Sequence, residues 1–162
     1  MPRNKLKKIG SQHRFRFTGI FVRSGFKSYH EYYSPTLLLK DVRLKENNQL
    51  MCDHLWFNYT KGFQKLGSLI RDDLISFDAR VDDYYKGYIN GSHHDYKLSR
   101  PTKIDLKPIS NLKRPPLPIG NNAVIIGKIM LENKKFYLKH GRPYDDFFVD
   151  LYQKWLVKTN KD

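Results

Sequence analysis

Between Arg14 and Ile109 the chain alternates polar and apolar residues in about five strand-length stretches, and only one short segment among them has helical spacing. Successive side chains of a strand point to opposite faces, so each stretch predicts a strand with one face in a core and one in water. The first, Arg14 to Arg23, sets Phe15 and Phe17 on one face and Arg14 and Arg16 on the other, with Gly19 interrupting it as a bulge or bend. Thr36 to Leu44 and Leu50 to Tyr59 follow as a hairpin across the polar turn Lys45-Glu46-Asn47-Asn48-Gln49. In the third stretch Leu55 and Phe57 share one face, and His54, Trp56 and Asn58 the other. Thr60 is placed to cap a short helix over Lys61 to Leu66, and Gly67 to close it in a left-handed conformation. Arg71 to Asp82 alternates most cleanly, with Ile75, Phe77, Ala79 and Val81 inward. The fifth strand spans Tyr96 to Ile109, and Pro101, lacking a ladder donor, confines it to an edge or a break.

The rest of the chain reads differently. Residues 1–13 carry Arg3, Lys5, Lys7 and Lys8 without periodicity, which predicts a basic flexible arm. No apolar stretch follows them as in a signal peptide, and no run approaches the ~18 apolar residues of a membrane span. Residues 111–118, with Pro115, Pro116 and Pro118, form a stiff connector to a C-terminal extension at 119–162. Within the extension, Ala123 to Leu131 is apolar but fits neither period, and both strand and helix stay open. From Tyr144 to Val157, Phe147, Phe148, Leu151, Tyr152, Trp155 and Leu156 make an amphipathic stripe behind a helix start at Pro143, Asp145 and Asp146.

Strand, strand, strand, short helix, strand, strand over 14–110 resembles the oligonucleotide-binding (OB) fold of single-stranded-DNA-binding proteins. The resemblance rests on Arg14 to Arg23 with its glycine break, on Asp53-His54-Leu55-Trp56-Phe57 before the helix, and on Asp72 to Val81 after it. It implies a mainly β fold with some helix: a five-stranded OB-like barrel with a short helix between strands 3 and 4, plus a C-terminal helical extension. One departure is the C-terminus, Lys158-Thr159-Asn160-Lys161-Asp162, where familiar bacterial single-strand binders carry an acidic recruiting tail. The chain also resembles mobile-element or phage proteins of Gram-positive bacteria. Alanine at 79 and 123 only, beside abundant Lys, Asn, Ile and Tyr, suggests an AT-rich coding genome.

Charge narrows the ligand. Thirty Lys and Arg against sixteen Asp and Glu leave a net charge of +14, and 14% of residues are aromatic, so cations and flat rings occur together. Cations neutralise phosphates and release counterions, and rings stack on bases. The expected interface comprises outward Arg14, Arg16, Arg43, Trp56 and Arg80, with Tyr84, Tyr85, Lys86 and Tyr88 in the loop between strands 4 and 5. Lys27, Tyr29, Tyr32 and Tyr33 belong to the loop between strands 1 and 2. A plainer reading makes Trp56 a core residue and each arginine ordinary solvated surface. The ligand expected is single-stranded nucleic acid, DNA before RNA, bound with low sequence preference.

Catalytic readings are thin. Adjacent side chains in His93-His94-Asp95 point apart on an extended chain, and Cys52-Asp53-His54 lacks ligand spacing. Asp72-Asp73 and Asp82-Asp83 would form a nuclease pair only if they met in space; strand-end acids are the simpler account. No enzyme, metal or cofactor is therefore expected. A single cysteine fits a reducing compartment, and the cytoplasm is the expected location. The stripe of Phe148, Tyr152 and Trp155 either packs on the barrel or docks on a protein partner. The rival function is accordingly a protein-interaction module, an accessory subunit of a mobile-element replication enzyme or an inhibitor of a host nuclease such as an RNA-guided one.

Overall fold

The computed structural model describes residues 3–30, 32–86, 93–111 and 113–159, without the side chains of Tyr29, Lys86 and His93. Five strands, β1 (Arg14–Tyr29), β2 (Tyr32–Leu44), β3 (Leu50–Asn58), β4 (Leu74–Lys86) and β5 (His93–Lys107), form one antiparallel sheet in the order β3-β2-β1-β4-β5. The helices are α1 (Asn4–Ile9), α2 (Lys61–Gln64), α3 (Asn122–Glu132), α4 (Lys134–Lys139) and α5 (Asp146–Thr159). None of them is long and apolar enough to cross a membrane, among the described residues. The chain divides into two compact units, one of Met1–Arg23, Leu38–Phe57 and Leu69–Arg114, the other of Ser24–Leu37, Asn58–Ser68 and Pro115–Asp162. These units interleave along the sequence, where a contiguous barrel at 14–110 and a separate extension were expected.

In the first unit, β1 and β4 pair without a slip from Arg14 opposite Arg80 to Ile20 opposite Leu74. Alternation therefore puts Phe17 of β1 and Ile75, Phe77, Ala79 and Val81 of β4 in the core, as their spacing predicts. Phe77 stacks on Phe17 and takes Phe57 edge-on at 5.2 Å between ring centres. Gly19 is no bulge: it lies in register opposite Ile75, and a Cβ there would come within 2.9 Å of Leu39 Cδ1. Asp41, at φ 49°, is where β2 changes step, so Leu39 before it and Val42 and Leu44 after it are all buried. Pro101 lies in the edge strand β5 between Arg100 and Lys103, both at positive φ, where the β4–β5 register shifts. The N-terminal segment is no loose arm from Arg3 onward, because α1 places Leu6 fully inside the core.

The second unit is built on α3, the segment that matched neither period. Ile125, Ile126, Ile129 and Met130 are buried with Tyr137 of α4 and Val149 of α5. A helix covered on most sides loses the polar stripe that would betray its period. Asn121 caps it by accepting from the Val124 amide, and Asp145 accepts from the Phe147 amide at the start of α5. Thr60, by contrast, makes no side-chain cap for α2, although Gly67 does adopt φ 81°. Ser24 to Pro35, expected as an exposed loop, is largely hairpin: Phe26 and Tyr33 meet edge-on at 5.1 Å and pack against the α3 cluster.

Candidate nucleic-acid interface

On β3, burial of Met51, Leu55 and Phe57 turns His54 and Trp56 outward. Trp56 is 45% exposed, with the Arg23 guanidinium 5.1 Å from its ring centre. That geometry leaves ring surface available beside a fixed cation. Arg3 reaches three strands. Its amide donates to the Asp95 carboxylate at 2.9 Å, and its guanidinium donates to the carbonyl of Tyr96 at 2.7 Å, the Tyr84 hydroxyl at 3.2 Å and the His54 carbonyl at 3.4 Å. Beside it lies an open cavity of about 500 Å³, walled by Arg3, Asn4 and Lys5 and by Leu50 to His54 of β3. Burial pushes the Cys52 thiol in that wall up to about 11, which disfavours its thiolate.

The β4–β5 hairpin adds a row of rings. Its register sets Tyr85 opposite His94. Their rings lie 5.0 Å apart and 30° from parallel, and His94 lies 5.0 Å from Tyr96 in turn. Tyr85 is 70% exposed. Lys97 places its ammonium 5.5 Å over the Tyr84 ring. His94 Nε2 is 2.8 Å from the Asp83 carboxylate, and this hydrogen bond holds the Asp83 carboxyl below the usual carboxylate range. The first unit thus carries nineteen Lys and Arg against ten Asp and Glu, with exposed rings set among them.

The residues singled out from sequence fall into distinct groups. Arg14 donates to the carbonyls of Asp78 and Arg100 and to the Thr102 hydroxyl, bracing the irregular part of β5. Arg16 pairs with Asp78 at 3.0 Å and also reaches the Lys103 carbonyl. Arg43 donates to the Asn48 carbonyl. These three engage the protein's own acceptors, whereas Arg80 is exposed and has no ion pair among the described residues. Trp56, Tyr84 and Tyr85 lie as described above. Lys27 and Tyr32 are exposed and belong to the second unit. The Lys86 side chain and all of Tyr88 lie outside the described residues.

Phe148, Tyr152 and Trp155 are all half-buried in the second unit. Phe148 packs on the α3 cluster and edge-on to Tyr33, and Tyr152 closes over Gly127 of α3 and stacks on Trp155. Arg3, Arg23, His94, Tyr96 and Lys97 stand beside the rings of the first unit without having been expected there. His94 and Tyr96 carried a signal, since they occupy alternate positions and must share a face; Arg3 carried none, because its contacts are remote in sequence. Among the described residues no three His, Cys, Asp or Glu side chains come together as metal ligands. Of the paired aspartates, Asp73 is held by Arg114, Asp72 lies 3.8 Å from Lys40, and Asp83 faces His94. No family model, curated protein or solved structure matches this chain.

Proposed function

We propose that this protein binds single-stranded nucleic acid, DNA before RNA, through the ring-and-cation surface of its first unit. The observation that carries the reading is the conjunction of an exposed Trp56 beside Arg23 with the Tyr85, His94, Tyr96 row. Every base has a flat face, so stacking of this kind tolerates sequence, while a duplex hides those faces. The sheet is read as an OB-like barrel: its order, with α2 between β3 and β4, suits that architecture, and Arg3 joins its two outermost strands through the His54 and Tyr96 carbonyls. A cytoplasmic, mobile-element or phage setting, in replication, belongs to the same proposal.

The test is titration of labelled single- and double-stranded oligonucleotides, DNA and RNA, at two ionic strengths. Affinity for the single strand is expected to fall steeply with salt. Trp56→Ala and Tyr85→Ala should each weaken it by about 1–3 kcal/mol, the worth of one stacked base. Equal affinity for duplex, or affinity indifferent to salt, would defeat the proposal.

A further inference from the structure

We infer a second nucleic-acid contact on the other unit, formed by α4 and the turn that follows it. This rests on the reading above and extends it to residues outside the strand pattern. From Lys134 to Arg142 the chain holds four Lys and Arg and no acid. Only Tyr137 of this segment is buried, anchored edge-on to Phe26 at 5.5 Å. Its neighbours Phe136 and Leu138 are therefore turned to solvent, 46% and 58% exposed. The Arg142 guanidinium lies 5.6 Å from the Phe136 ring and 5.9 Å from that of Tyr137, and the His140 ring lies 4.4 Å from Phe136. Lys135 and Lys139 are exposed on the same short helix, and exposed Lys134 places its ammonium 5.6 Å over the Tyr144 ring.

The segment itself supplies no counter-charge, and Glu132 just before it is paired with Lys128. Asp145 and Asp146 follow it, and neither forms an ion pair with it among the described residues. Lys134, Lys135, Lys139 and Arg142 have no ion pair among the described residues. Four cations without ion pairs in nine residues, one of them over an exposed ring, are electrostatically complementary to a polyanion carrying stackable bases. An anionic membrane would supply the charge, yet two exposed apolar side chains on a helix of six residues give little to insert. Nucleic acid is therefore the occupant. A strand long enough to engage both units gains from the second contact by raised effective concentration.

The experiment compares oligo-dT of about 10 and about 40 nucleotides, lengths within and well above the ~4–16 nucleotides that one OB-type surface covers. The variant Lys134→Gln/Lys135→Gln/Lys139→Gln/Arg142→Gln should bind the short oligonucleotide through the first unit as wild type does. On the long one it should lose about tenfold in affinity, and its log–log salt slope should fall by about 3, near 0.7 for each phosphate contact removed. Because Arg142 also lies over Tyr137, the triple lysine variant is measured beside it, with melting temperature as the check on folding. Unchanged affinity and slope on the long oligonucleotide would overturn the inference while leaving the first-unit reading intact. Wild type that binds neither length defeats both. Vesicles one-third phosphatidylserine that capture wild type but not the variant, with oligonucleotide binding unchanged, would also overturn it.

Discussion

Asp73 shows how much one carboxylate can hold. Fully buried, it accepts both arms of the Arg114 fork at 2.6 Å and the amides of Ile70 and Ile109, while its carbonyl receives the Phe21 amide. Burial alone would push its carboxyl up; the Arg114 fork and the two amides outweigh burial and hold it below the ordinary range. A lowered folded-state value means that its stabilisation is present above the unfolded value near 3.9 and is lost as pH falls through the depressed one. Asp73→Asn is therefore expected to cost about 3–5 kcal/mol at neutral pH, as breaking a buried pair does. Urea titrations across acid pH should show a shallower decline in the variant than in wild type. Cys52 makes a second test: with its thiol raised from 9.0 to about 11, alkylation at pH 8 should run roughly a hundredfold slower in the native than in the unfolded protein. Equal rates would show a Cys52 less sheltered than its burial implies.

Among the elements, α3 and α5 approach so closely that Gly127 has no room for a side chain. A Cβ there would overlap the Phe148 carbonyl and touch Tyr152 Cβ at 3.0 Å. The obstacle is backbone, so relief requires the helices to part; Gly127→Ala should cost about 3 kcal/mol, at the upper end of overpacking, read as a lowered melting midpoint. Gly19→Ala should cost less, since the first atom met is the flexible end of Leu39. These two glycines mark where the sequence was legible and where it was not. The strand paired across from Gly19 was readable because Ile75, Phe77, Ala79 and Val81 keep strict alternation between core and surface, and Phe17 sits opposite Phe77. What Gly19 itself does depends on Leu39, twenty residues away, and no local pattern announces it. α3 was opaque for the opposite reason, being apolar on nearly every side. Of the candidate interface, the exposed ring of Trp56 was readable because outward positions on an alternating strand are countable, whereas Tyr85, expected in a loop, stands on β4, which runs on to Lys86. The sequence hid which arginines were already engaged, since Arg14, Arg16 and Arg43 find acceptors only once strands are paired.

At the level of the whole molecule, each unit is assembled from three stretches of chain, so neither can be excised as one piece. Ending the chain at Arg114 removes α3, α4 and α5 and leaves Phe26 and Tyr33 without the cluster they pack against. Such a truncation is expected to bind a hydrophobic dye and elute as aggregates in gel filtration, whereas a clean monomer would mean that the β1–β2 hairpin finds its own cover. Charge operates at this scale too: +14 raises encounter rates with any polyanion, and the expected mark is an association rate that drops as salt rises. The outer strand β5 carries one last implication. It lacks an amide at Pro101 and steps out of register on either side of Asp78 in its neighbour. A passing copy of the protein meets no unbroken row of donors and acceptors there, so the kinks that Arg14 braces also withhold a template on which fibres could grow.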